Sequence, residues 1–185
     1  MINELLKDAE KRMKKAVEVL KGEFAGLRTG RASTVLVEDI KVDYYGSMMT
    51  IKQVAQISVP EANQIVIQPW DVSVIPNIEK AIRNSDLGAQ PQRDGNVIRI
   101  ILPPLTEERR RELVKKAGKF AEQARIAIRN VRHEIMKELD KLKKEGGYSE
   151  DDIKRAKDEL QKITDRFIKE VDNLLEKKEE EILTI

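Results

Sequence analysis

The stretch Ile98-Arg99-Ile100-Ile101-Leu102-Pro103-Pro104-Leu105-Thr106-Glu107-Glu108-Arg109-Arg110 decides the architecture, because two kinds of chain meet inside it. Before the prolines lies a β-branched run suited to a buried strand. After them, Thr106 stands where a helix N-cap belongs, with Glu107 and Glu108 in the first turn, where acids favour the helix dipole. The proline pair fixes extended backbone and separates the two textures.

Downstream of the pair, Leu113, Ala117, Phe120, Ala124, Ile128, Val131, Ile135 and Leu142 recur at helical spacing as far as Gly146-Gly147. That predicts one amphipathic rod of about 60 Å at 1.5 Å per residue. Ser149 caps another helix, with Ile153, Ala156, Leu160, Ile163, Phe167, Val171 and Leu174 as its stripe. Residues 1–28 repeat the pattern through Ile2, Leu6, Ala9, Met13, Ala16, Leu20, Phe24 and Leu27, and the helix is expected to stop near Thr29-Gly30 on a left-handed glycine.

Upstream of the pair the texture differs. Charge thins over 31–104, and all six prolines fall there. Thr34–Val37, Ile40–Tyr45, Gln56–Val59, Gln64–Gln68 and Asn96–Leu102 read as strands, Val74–Asn84 as a short helix. Tyr45-Gly46-Ser47 and Asp94-Gly95 predict hairpin turns. Trp70, at a strand end in a segment poor in aromatics, is expected to plug the core.

Three helices with one apolar face each cannot bury those faces alone. The fold class is therefore α+β: a three-helix bundle from residues 1–30 and 105–185, with a small α/β, β-rich domain of residues 31–104 inserted after the first helix. Two connections, near 29–31 and 103–105, join them. Thr29, Gly30, Pro103, Pro104 and Leu105 are accordingly expected to form a hinge.

Composition excludes several chemistries. There is no cysteine, which removes disulfides, thiolate metal sites and cysteine nucleophiles. No apolar run approaches the roughly 20 residues of a membrane span. The first fifteen residues carry acids in an amphipathic pattern unlike a signal peptide, so the cytoplasm is the expected location. His133 is the only histidine, no phosphate-binding glycine loop occurs, and no metal-ligand spacing is found. An enzyme is not expected, nor a cofactor or metal.

Net charge is only +2, which says little about partners. By segment it is +2 over 1–30, −1 over 31–104, +5 over 105–148 and −4 over 149–185. Arg125, Arg129 and Arg132 line one ridge of the second long helix, and on a helical wheel Arg111 falls with them. Arginine's planar fork suits phosphate. On that wheel the nearest acids are Glu107 and Glu122, too few to pair with four arginines. A solvated face with intrahelical ion pairs is the alternative reading. Arg28-Thr29-Gly30-Arg31 forms a second basic cluster, either a helix cap or a phosphate clamp. A helical adaptor for another protein is the rival class.

Several segments then carry a resemblance. They are Gly26-Leu27-Arg28-Thr29-Gly30-Arg31-Ala32, Tyr44-Tyr45-Gly46, Val59-Pro60-Glu61, Pro69-Trp70-Asp71, Ile78-Glu79-Lys80-Ala81-Ile82, Ser85-Asp86-Leu87-Gly88, Pro104-Leu105-Thr106-Glu107-Glu108-Arg109-Arg110, Glu112-Leu113-Val114-Lys115 and Ile128-Arg129-Asn130-Val131-Arg132. In this order, and over the whole chain, they resemble the bacterial ribosome recycling factors. The resemblance implies an L-shaped molecule, expected as a monomer, that binds the large ribosomal subunit after termination. It also implies action with elongation factor G, whose GTP hydrolysis drives separation of the subunits. Arg28, Arg129 and Arg132 match arginines that face large-subunit RNA in that family, and Arg110 is grouped with them. Arg31 and Arg125 join this set from the clusters above. His133, Met48-Met49-Thr50-Ile51 and Gln90-Pro91 depart from the family's usual pattern.

Overall fold

The computed structural model, which describes residues 1–184, is a mixed helix-and-sheet protein that divides into two compact units. Its elements in order are α1 (Ile2–Ala25), α2 (Val35–Glu38), β1 (Lys41–Tyr44), β2 (Ser47–Thr50), α3 (Ile51–Val54), β3 (Ala55–Glu61), β4 (Gln64–Pro69), a 3₁₀ turn (Val72–Val74), α4 (Ile75–Arg83), β5 (Pro91–Asp94), β6 (Val97–Ile101), α5 (Glu107–Glu145) and α6 (Glu150–Leu183).

The first unit, Met1–Phe24 with Val114–Glu180, is the helical one. Its core is a seam of Ala9, Met13, Val17, Leu20 and Phe24 from α1, Ala117, Ala121, Ala124, Ile128, Val131, Ile135, Leu139 and Leu142 from α5, and Ile153, Ala156, Leu160, Ile163, Phe167 and Val171 from α6. Ala121 takes the core position expected of Phe120, which is half-buried with the Lys116 ammonium 5.9 Å from its ring centre. Small alanines on successive turns let neighbouring helices approach closely, and a phenylalanine there would hold them apart. Thr164 is buried and donates its hydroxyl to the Leu160 carbonyl at 2.8 Å, so it costs little. Exposed interhelical pairs flank the seam: Arg12–Glu134 and Arg166–Glu10 at 2.6 Å, and Lys157–Asp140 at 2.5 Å. Such pairs are worth roughly 0–1 kcal/mol each, so the apolar seam carries the stability.

The caps fall where the sequence placed them. Arg109 N–H donates to the Thr106 hydroxyl at 3.0 Å, and Asp152 N–H to the Ser149 hydroxyl at 3.1 Å. Gly146, at φ +79°, takes the left-handed conformation that ends α5.

The second unit, Ala25–Leu113 with the chain from Glu181 onward, holds a four-stranded antiparallel sheet of order β3-β4-β6-β5 and the β1-β2 hairpin. Alternate residues of β4 and β6, namely Ile65, Ile67, Ile98 and Ile100, form one core with Ile75, Ile78 and Ile82 of α4. Thr34–Val37, expected as a strand, instead runs into the one-turn helix α2. The Thr34 hydroxyl reaches Glu38 at 2.8 Å and the Val35 N–H reaches Ser33 at 3.3 Å, local bonds that outweigh β-branched propensity. The strands not expected, β2 and β5, are edges that pair on one side only, so they need little apolar patterning. Trp70 is not in the core. It is 69% exposed, and isoleucines supply the volume it was expected to fill.

Helix α1 ends at Ala25, earlier than expected, and Gly30 does not take a positive φ. The chain beyond is held by long-range bonds rather than by a glycine cap. Arg28 Nη2 donates to the Pro103 carbonyl, Ala32 N–H to the Ala62 carbonyl at 2.6 Å, and Leu102 N–H to the Asn63 carbonyl at 2.7 Å. Both connecting segments are thus fastened to the β3–β4 turn. Leu27, Leu102 and Leu105 are buried there, and the units part at Phe24/Ala25, Leu113/Val114 and Glu180/Glu181.

Candidate RNA-binding face

In the helical unit the structure sorts the three ridge arginines by what they touch. Arg125 is 18% exposed; its Nε and Nη2 donate to Asp172 Oδ1 at 2.9 and 2.7 Å, and its Nη1 to Glu122 at 3.2 Å. Burial pulls its guanidinium down, but the hydrogen bonds to Asp172 and Glu122 outweigh that and hold it above its ordinary pKa. The acid the wheel lacked comes from α6. Arg125 is thereby engaged as a bond between helices.

Arg129 is 55% exposed, and its acidic neighbour among the described residues is Glu122 at 3.6 Å, already shared with Arg125. Arg132 is half-buried and has a neutral partner: its Nε donates to Gln161 Oε1 at 2.8 Å, and the Gln161 amide is turned by Asp165 at 2.8 Å. Gln161 orients the fork without cancelling its charge. A planar cation held by one edge, with no acid of its own, is suited to bidentate phosphate contact. His133 is exposed beside it.

In the second unit Arg28 and Arg110 are the notable pair. Both are half-buried, and the Nε of each is buried without an acceptor among the described residues. Leaving such a donor unsatisfied costs about 1–3 kcal/mol. Burial, and then the charge of Arg109, push the Arg28 pKa down. Of their neighbours, Arg109 is tied to Glu112 at 2.9 Å and Arg111 to Glu107 at 2.5 Å. Arg31 is exposed, with its own N–H on the Thr29 hydroxyl at 3.4 Å. Partly desolvated guanidinium groups with no acidic partner among the described residues are suited to anions.

A comparison with known proteins decides what that surface belongs to. The family model described as "Ribosome recycling factor" matches residues 20–183. The ribosome-recycling factor of Carboxydothermus hydrogenoformans is 55% identical over 185 residues, covering 100% of both chains. The chain belongs to the ribosome recycling factor family. The Aquifex aeolicus ribosome-recycling factor is 56% identical over 184 residues, 100% of this chain and 98% of that one. Among solved structures, a ribosome recycling factor in solution superposes with a TM-score of 0.79 at 56% identity, over 100% of this chain and 98% of that chain. The T. thermophilus ribosome recycling factor matches with a TM-score of 0.68 at 48% identity, over 99% of each chain. Models of that factor place it with the E. coli elongation factor G on the E. coli post-termination complex.

Among the described residues no group of His, Cys, Asp and Glu could hold a metal ion, and no helix is long and apolar enough to cross a membrane. Sequence reasoning missed Gln161, Asp172 and Arg109, because each acts through a neighbour that lies far from it on the wheel or on another helix.

Proposed function

We propose that this chain is a cytoplasmic, non-catalytic translation factor that acts as a monomer. It binds the post-termination ribosome and, with elongation factor G hydrolysing GTP, promotes separation of the subunits for a new round of translation. The end-to-end match to ribosome-recycling factors, 55% identical with nothing left over on either chain, carries this reading. Arg28, Arg110, Arg129 and Arg132 make the phosphate contacts to large-subunit RNA, and Arg31 adds an exposed cation. Arg125 belongs to the same ridge but serves chiefly to join α5 to α6. The connections that allow bending run through Thr29-Gly30 and Pro103-Pro104-Leu105, which Arg28 braces through the Pro103 carbonyl, to the unit boundaries at Phe24/Ala25 and Leu113/Val114.

The test is co-sedimentation with isolated large and small subunits at low and high salt, followed by subunit splitting with elongation factor G and GTP. Binding confined to large subunits, weakening steeply with salt, and splitting that needs both the factor and GTP are expected. Salt-independent binding would remove the phosphate contacts from the account.

A further inference from the structure

Gly118 stands eleven residues past Glu107, the start of α5, and nothing among the described residues accounts for it. Apart from proline, glycine is the least favourable residue in a helix interior, because it orders the most backbone and packs no side chain. The internal reasons for keeping one are missing here. Gly118 is not among the glycines with positive φ, so alanine could hold the same backbone. A Cβ built on it meets no heavy atom within 4 Å beyond its own helix backbone, so no packing needs the space. Gly22, the other glycine inside a long helix, falls in the last turn of α1, where helix propensity counts for less. A glycine with no internal reason is what a helix needs where a ligand must come close to its backbone.

The surroundings of Gly118 say which ligand. Arg125 and Arg132, which bond α6, fall about 20° and 40° to one side of it on a wheel at about 100° per residue. Arg129 falls about 20° to the other side, and Lys115 about 60°. The glycine is thus a half-buried gap in the arginine ridge, bordered by the exposed Lys115 and Lys119. Neither lysine forms an ion pair among the described residues. The acids at helical spacing from them are taken: Glu112 by Arg109 at 2.9 Å, and Glu122 by Arg125 at 3.2 Å and Arg129 at 3.6 Å. Like charges one turn apart also repel, and a nearby phosphate relieves that. Lys116 is turned elsewhere, 5.9 Å from the Phe120 ring centre. On α6, Glu176 and Glu179 lie four and seven residues past Asp172, on the side that meets Arg125. Their charge keeps phosphate out of the α5–α6 groove and turns it to the lysine side of the glycine.

We propose that the sugar-phosphate backbone of large-subunit RNA passes against α5 at Gly118, flanked by Lys115 and Lys119. The contact then runs along α5 from Arg132 back to Lys115, about 25 Å at 1.5 Å per residue. This deepens the proposed function and rests on it for the identity of the RNA. Gly118 acts there as a positioning residue, setting how near the RNA comes to the arginines.

Full-length variants, bound to isolated large subunits and melted in parallel, test it. Gly118→Ala is expected to raise the melting temperature by a few degrees, as a better helix former, and yet to weaken binding a few-fold. Gly118→Leu fills the gap, and is expected to weaken binding at least about tenfold without melting below the wild type. With Lys115 replaced by p-benzoylphenylalanine, irradiation on large subunits is expected to give an RNA adduct. Gly118→Ala melting below the wild type would show that the fold needs the glycine, which overturns the proposal. Gly118→Leu binding within about twofold of the wild type overturns it too, as does a protein adduct or no adduct at position 115. A wild-type chain that fails to bind large subunits overturns the proposed function and this inference with it. Wild-type binding that the glycine variants leave unchanged overturns the inference alone.

Discussion

Replacing Arg132 with alanine should weaken binding to large subunits and flatten its salt dependence while leaving the fold intact. Among the described residues the guanidinium's partner is a neutral glutamine and not an acid, so truncation breaks no salt bridge there. A lost charge-assisted phosphate contact is worth about 1.5–3 kcal/mol, roughly ten- to 150-fold in Kd. With Arg28, Arg110, Arg129 and Arg132 each neutralising one phosphate, log K should fall with log salt at a slope of about −3.6. Doubling the salt would then cost about twelvefold in affinity, against about sixfold for the variant, whose slope should be near −2.7. Sedimentation binding to isolated large subunits across about 50 to 300 mM potassium chloride resolves that difference. An unchanged slope, or a loss of affinity that tracks a lowered melting temperature, would refute the reasoning.

Arg125→Ala should behave in the opposite way. It removes the bonds to Asp172 and Glu122 at a largely buried position, so a cost of about 1–2 kcal/mol and a fall of several degrees in melting temperature are expected, with little change in salt slope. Gln161→Glu keeps Arg132 in place but sets a carboxylate against it. Affinity should drop toward that of Arg132→Ala with the melting temperature unchanged or raised, measured in the same binding and melting assays. Asp71, held below the usual carboxylate range by the Tyr45 and Ser73 hydroxyls, should titrate below an ordinary aspartate by carbon NMR, and Tyr45→Phe should bring it back up. Because that folded pKa is depressed, whatever support Asp71 gives the hairpin holds above the unfolded value and is lost as pH falls through the folded one.

Much of the fold was legible because helical period and caps are local. Thr106, Ser149 and the Pro103-Pro104 pair announce their elements within a few residues. What local reading could not supply was set by neighbours remote in sequence. Thr34–Val37 has strand composition, yet Ser33 and Glu38 close it into a turn of helix. Gly30 looked like a cap, but long-range bonds from Arg28 and Ala32 hold that segment, and α1 has already ended. Trp70 looked like core because it is large. Its exposure follows from the isoleucines of β4, β6 and α4 having filled the interior without it.

The site shows the same division more sharply. A helical wheel counts only the acids on its own helix, and by that count Arg125 differs from Arg132 only in having Glu122 three residues before it. They are separated by what α6 presents to each: Asp172 faces Arg125, and Gln161 faces Arg132. A carboxylate at 161 would join the helices as well as Asp172 does, and would cancel the charge. The amide gives orientation without neutralisation, so one helix both fastens α5 and leaves it a fixed cation. Arg28 and Arg110 reach the same condition by another route, burial with an Nε that no group among the described residues accepts. The near-zero net charge conceals both devices. Readiness to bind phosphate here is a property of each arginine's partner, and that partner becomes visible only when the helices are packed.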